Sequence, residues 1–161
     1  MTGHDQRVAL VTGANRGIGY AMAKGLAKGD IRVVLGARDA KKGATASLEL
    51  QRQGLAASVE VLDVTNEKSI QTAVANIQTR FNRLDILVNN AGILIDGDAD
   101  VLNVSHDIIL ETLHTNVLGP LMLCQQCVPL MKAGGYGRIV NMSSTLGSLV
   151  EMADPDSGYA G

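Results

Sequence analysis

The chain has 161 residues, 46% of them apolar and 19% charged, with a formal net charge of −2. That balance excludes a disordered polymer, and the length suffices for one domain with a sizeable core. There is no Lys/Arg-rich run, no aromatic-interleaved basic patch, no apolar stretch near the ~20 residues of a membrane span and no signal segment, so nucleic-acid and membrane partners are not expected and a cytoplasmic location is the default.

Apolar runs alternate with amphipathic stretches along the chain. Arg7–Thr12 (RVALVT) reads as a first strand, and the helix after it is expected to bury Ile18, Met22 and Leu26, spaced four apart. Arg32–Ala37 (RVVLGA) is a second strand, followed by a weaker helical pattern over about 40–53. Ser58–Leu62 is a third, and Thr65 is the expected N-cap of a helix that buries Ile70, Val74, Ile77 and Phe81. Leu84–Asn89 is a fourth strand. A polar loop over about 92–103 leads to a long fourth helix from about Ser105 to Met131, and Arg138–Met142 is a fifth strand. Nearly continuous apolar strands suit a parallel sheet covered on both faces, and strict alternation specifies right-handed βαβ units. The expected fold class is therefore α/β, one doubly wound parallel sheet of about five strands.

Cys124 and Cys127 form a CQQC tetrapeptide. Either they are a redox pair or half a metal site, or they are two small apolar residues on one helix face. No other cysteine exists and His4, His106 and His114 show no ligand spacing against them, which favours the helix-face reading and no metal.

The stretch with most chemistry is VALVTGANRGIG, Val8 to Gly19. Gly13 permits a sharp exit from the strand, Gly17 lets backbone approach a phosphate, and Gly19 lets the helix pack close to the sheet. Asn15, Arg16 and Ile18 fill the same turn. The helix start offers free N–H groups and a positive dipole end, so the segment reads as a pyrophosphate cradle. A carboxylate at the end of strand two usually holds the ribose 2′-OH of NAD. Here Arg38 stands near that position, with Arg16 as a second cation, which suits the 2′-phosphate of NADP over NAD. The other reading makes Arg38 and Asp39 a solvated turn that caps the next helix, and leaves Asp39 free to swing inward.

The G-x-x-x-G-x-G spacing, Asp63 and Val64 in LDVT, Asn89-Asn90-Ala91-Gly92, Asn116 in TNVLG and the Ser143-Ser144 pair occur in the order of the short-chain dehydrogenase/reductase motifs, and the chain resembles the N-terminal portion of a carbonyl-reductase-like member of that family. The resemblance implies a Rossmann-type sheet, with Asp63, Val64, Asn90, Ala91 and Gly92 at the cofactor. It also implies a small carbonyl or alcohol substrate, reversible hydride transfer and an Asn-Ser-Tyr-Lys tetrad. Asn116 and Ser144 match the first two members. Pro120, four residues after Asn116, has no N–H to give the Asn116 carbonyl, which leaves either an acceptor for a relay water or a simple kink.

Tyr159 is the candidate tyrosine, but no lysine follows Lys132, and the resemblance implies that Tyr159 is instead an aromatic residue flanking the catalytic tyrosine. The expectation is one domain over residues 1–161, incomplete after strand five, weakly active or inactive alone. The alternative is a non-catalytic dinucleotide-binding or dimerising module. An open strand-five edge (Ile139, Val140) and exposed Leu113, Leu121, Val128 and Met131 on the long helix are expected to favour self-association into a homo-oligomer.

Overall fold

A computed structural model describes residues 6–97, 102–154 and 156. The apolar runs form five strands: β1 (Val8–Thr12), β2 (Arg32–Ala37), β3 (Ala57–Val61), β4 (Ile86–Asn89) and β5 (Arg138–Asn141). All pair in parallel, in the order β3-β2-β1-β4-β5. The chain first winds outward from β1 to β3, then returns to the other side of β1 as β4. The crevice above the β1/β4 boundary is thus a topological switch point, where open α/β sheets hold ligands.

Alternate strand residues feed two cores. Ala9, Val11, Val33 and Leu35 face α1 (Gly17–Lys28) and α2 (Ala40–Arg52), whereas Leu10, Val34 and Leu87 face α3 (Glu67–Phe81) and the later helices. Helix α1 differs from its expected packing. Ile18 is 66% exposed, and the buried stripe is Gly19, Ala23 and Ala27, with Met22 and Leu26 only partly covered. Small residues on that stripe bring the helix axis close to the sheet, which leaves no room for the larger side chains there. Helix α3 buries Ile70, Val74 and Ile77 with Phe81 partly covered, but its N-cap is Asn66, whose side chain accepts from the Ser69 amide at 3.0 Å. Thr65 is not the cap because its hydroxyl and amide are both spent on Asp63.

The lower end of the switch point is fixed by a buried carboxylate. Asp85 accepts from the Val8 amide at 2.8 Å and from two Arg83 nitrogens at 2.8 and 2.7 Å. A buried charge is tolerated only when paired and hydrogen-bonded in this way, so the ion pair sets the register of β1 against the segment entering β4.

The long fourth helix is three pieces. Helix α4 (His106–Leu113), capped by Ser105, runs into a π-helical turn at His114–Leu118 and then α5 (Gly119–Ala133). In the turn the Gly119 amide reaches back five residues to the His114 carbonyl. Pro120 supplies no amide to continue the ordinary ladder, so the helix widens there. Met131 is buried beside Leu123 and Cys127, contrary to its expected exposure, and Val128 is half-buried. Leu113 and Leu121 do lie exposed. Strand β5 is exposed along all four residues, and a short turn (Thr145–Gly147) and α6 (Leu149–Ala153) follow it.

Both cysteines carry free thiols on α5. Burial, with the neighbouring Cys124, pushes the Cys127 thiol up to about 12, so it stays protonated and packs as an apolar group. Among the described residues no cluster of His, Cys, Asp and Glu could hold a metal, and no helix is long and apolar enough to cross a membrane.

Candidate dinucleotide site

A cleft of about 280 Å³ opens at the carboxyl ends of β1 to β4. Of the residues that the sequence nominates, Gly13, Asn15, Arg16, Arg38, Asp63, Val64, Asn90, Ala91 and Gly92 line it. Gly17, Ile18 and Gly19 do not line it; they form the first turn of α1, directly after the lining residue Arg16.

Local chain geometry explains the glycines. Gly13 and Gly17 take φ of +64° and +58°, where a Cβ is strained, and the space a Gly17 Cβ would enter is empty. At Gly19 the constraint is contact. A Cβ there would lie 2.5 Å from Asn90 Nδ2 and 2.6 Å from the Gly13 carbonyl oxygen. Two loops and a helix therefore converge on one point.

Thr12 and Asn90 weld the two strand ends beneath the cleft. The buried Thr12 hydroxyl accepts from the amides of Asn90 and Ala91 at 3.0 and 2.9 Å and donates to the Val88 carbonyl at 3.3 Å. Asn90 Nδ2 donates back to the Thr12 carbonyl at 2.9 Å. This pairing was not legible from Thr12 as one more strand residue.

The start of α1 stands apart electrostatically. Side chains cap α2 (Asp39), α3 (Asn66) and α4 (Ser105), but the α1 N-cap, Arg16, makes no side-chain capping bond and its first turn carries no acid. Its leading amides and the positive end of its dipole remain available to an anion. Arg16, Arg38 and Lys42 bring three cations to the same cleft. Asp39 lines it too, but its carboxylate accepts from the Lys42 amide at 3.0 Å, with the Lys42 ammonium at 3.8 Å. The backbone bond from Lys42 holds the Asp39 carboxyl below the ordinary carboxylate range. The acid at the end of β2 thus caps α2 through one oxygen while it lies in the cleft lining beside Arg38.

Asp63 is shaped by opposing effects. Burial disfavours its charge, but the Thr65 hydroxyl and amide, at 2.7 and 2.9 Å, together with the charges of Arg38 and His114, outweigh burial and hold it below the usual range. It remains an ionised acceptor on the cleft wall.

Asn116 lies in the π turn and clasps the loop after β4. Its Oδ1 accepts from the Ile93 amide at 2.9 Å, and its Nδ2 donates to the Ile93 carbonyl at 2.8 Å. The sequence directed attention to the Asn116 main-chain carbonyl; the structure shows that the side chain is the loop anchor. Ser144 follows β5, outside the cleft lining, and its carbonyl accepts from the Gly147 amide. Tyr159 lies outside the described residues. Lys42, Leu62, Ile93 and Thr115 complete the lining without a signal in the sequence, and Thr65, which the sequence offers only as a helix cap, joins them. Thr115 arrives because Gly119 packs against Val64 so closely that a Cβ would meet the Val64 carbonyl oxygen at 2.8 Å, a contact no local pattern announces.

A family model described as short chain dehydrogenase matches residues 7–155. The chain is 37% identical to (+)-neomenthol dehydrogenase of Arabidopsis thaliana over 165 residues, covering 89% of this chain and 55% of that protein. It is 40% identical to carbonyl reductase 1 (NADPH) of Mus musculus over 141 residues, covering 85% and 48%. Among solved structures, a gluconate 5-dehydrogenase from Burkholderia cenocepacia J2315, in complex with NADP and tartrate, superposes with a TM-score of 0.84 at 34% identity, over 90% of this chain and 56% of that one. The chain spans about half the length of these relatives.

Proposed function

Because the chain belongs to the short-chain dehydrogenase family, we propose that these residues form the NADP-holding part of an oxidoreductase that moves a hydride between a nicotinamide and a carbonyl or alcohol carbon. The observation that carries this reading is the uncapped start of α1, whose N-cap Arg16 lines the cleft together with Arg38 and Lys42. The leading α1 amides would take the pyrophosphate, and Arg16, Arg38 and Lys42 the ribose 2′-phosphate. Asp63 and Val64 would contact the adenine, and Asn90 to Gly92 the nicotinamide side. Bound NADP supplies the hydride; the polypeptide supplies binding, orientation and proton handling. Asn116 positions the loop carrying Gly92 and Ile93, and Ser144 is assigned to the substrate carbonyl.

NADPH consumption followed with a panel of ketones tests the reaction. Consumption that requires the ketone supports it. Binding of NADPH without such consumption reduces the reading to a dinucleotide-binding module.

The long helix also exposes Leu110, Leu113, Val117 and Leu121. We infer a homo-oligomer through this face, which an elution volume of a single copy, unchanged by Leu121→Glu, would rule out.

A further inference from the structure

The loop that leaves β4 carries a reactive pair that neither the fold nor the cleft uses. Asp96-Gly97 is the only Asp-Gly pair in the sequence, and no Asn-Gly pair occurs. Asn116 clasps Ile93 at both its amide and its carbonyl, and beyond that clasp the ties end. Among the described residues no hydrogen bond or ion pair holds Leu94, Ile95, Asp96 or Gly97, and all four are exposed. Gly97 takes a φ of +55°, and the position a Cβ would occupy there is open space.

Sequence and structure therefore act together at one peptide bond. Glycine has no side chain to shield its amide and its backbone turns easily, so the Gly97 nitrogen can swing onto the neighbouring Asp96 carboxyl carbon. In folded chains the hydrogen bonds of main-chain amides oppose that rotation; here there are none to break. Other aspartates lack this freedom. Asp39 is bound to the Lys42 amide as the α2 cap, and Asp63 accepts from Thr65 and precedes the β-branched Val64. Asp85 is buried in its pair with Arg83 and precedes Ile86.

We propose that Asp96 is a site of spontaneous isomerisation to isoaspartate in the folded protein. The Gly97 nitrogen bonds to Asp96 Cγ, and the carboxyl hydroxyl leaves with the amide proton as water, closing a succinimide ring. Water then adds at the ring's main-chain carbonyl carbon, whose bond to nitrogen breaks. The chain now runs through Cβ and Cγ, one carbon longer, and the former main-chain carbonyl is a free carboxylate. One water leaves and one enters, so nothing is oxidised or reduced and the net charge is unchanged. The lengthened stretch lies between the Asn116 clasp on Ile93 and the start of α4.

The test is prolonged incubation of the folded chain at pH 6, beside a portion unfolded in guanidinium chloride. Samples are then methylated by an isoaspartyl methyltransferase with labelled S-adenosylmethionine and mapped as peptides. Label in the peptide spanning Asp96, whose mass is unchanged before methylation, should accumulate in the folded chain within about tenfold of the unfolded rate, because an untied loop opens at little cost. Asp96→Glu should lose the label, since its side chain would have to close a larger ring. Asp96→Asn should gain it faster, with ammonia leaving in place of water. Both substitutions fall on an exposed side chain, so Tm is unchanged. A folded chain that lags further behind the unfolded one, or label that persists in that peptide of Asp96→Glu, would overturn the proposal.

Discussion

Asn116 and Ile93 are joined twice across 23 residues of sequence, amide to carbonyl in both directions. The pair ties the π turn of the long helix to the loop that leaves β4. It therefore links the element that delivers Thr115 to the cleft with the segment that forms the cleft's far wall. Asn116→Ala removes both bonds and should cost about 1–2 kcal/mol, seen as a lower Tm. The Ile93 amide should also lose hydrogen-exchange protection more than the β1 amides do. Equal loss at both places would mean a global effect instead of a loop anchor.

Gly19 tests how tightly α1 is seated. A Cβ there meets the Gly13 backbone oxygen and the Asn90 side-chain amide, which is itself tied to the Thr12 carbonyl. Gly19→Ala should destabilise by about 1–3 kcal/mol, the usual range for overpacking, and weaken NADPH binding because the cradle is pushed off the sheet. Gly25→Ala, with open space at the same helix, should be stabilising or neutral in both assays.

Asp63 gives a pH signature with a definite sign. Its carboxyl is held below the ordinary value of about 3.9, so the folded chain binds the proton less readily than the unfolded chain. The stabilisation is therefore fully present above that ordinary value and is lost as pH falls through the depressed one. Thermal melts between pH 6 and 3 should show a smaller acid-side loss for Asp63→Asn than for the parent chain. Parallel curves would show that Asp63 carries no such linkage.

The two cysteines should behave differently toward a thiol reagent at pH 8. Cys124 is half-buried and should react, whereas Cys127, with its thiol pushed up to about 12, should react only on unfolding. Titration with an aromatic disulfide reagent counts the accessible thiols. Two fast thiols, or a disulfide formed under mild oxidation, would contradict the packing described.

What could be read from sequence was whatever lies in a local pattern. Runs rich in apolar residues placed all five strands to within about two residues, and the glycine spacing placed the turn into α1, because strand composition and positive φ each leave a mark within a few residues. Ile18 lies outside the core because its spacing from Met22 and Leu26 is helical either way, and only the sheet's closeness selects the smaller Gly19-Ala23-Ala27 stripe. Thr65 and Asn66 are both good caps, and the choice turned on Asp63 claiming the threonine. Pro120 signalled a missing amide, but not that the helix would respond with a π turn. Lys42, Thr115 and the Thr12–Asn90 weld were invisible because each depends on contacts between distant segments.

The central claim is that the uncapped start of α1 and the cations beside it hold a phosphorylated dinucleotide. Calorimetric titration of the folded chain with NADP⁺ and with NAD⁺ tests it most directly. The account predicts saturable heat with NADP⁺, at least about tenfold tighter than with NAD⁺, and loss of that preference in Arg38→Ala. No heat with either nucleotide, or equal affinity for the two, would contradict it.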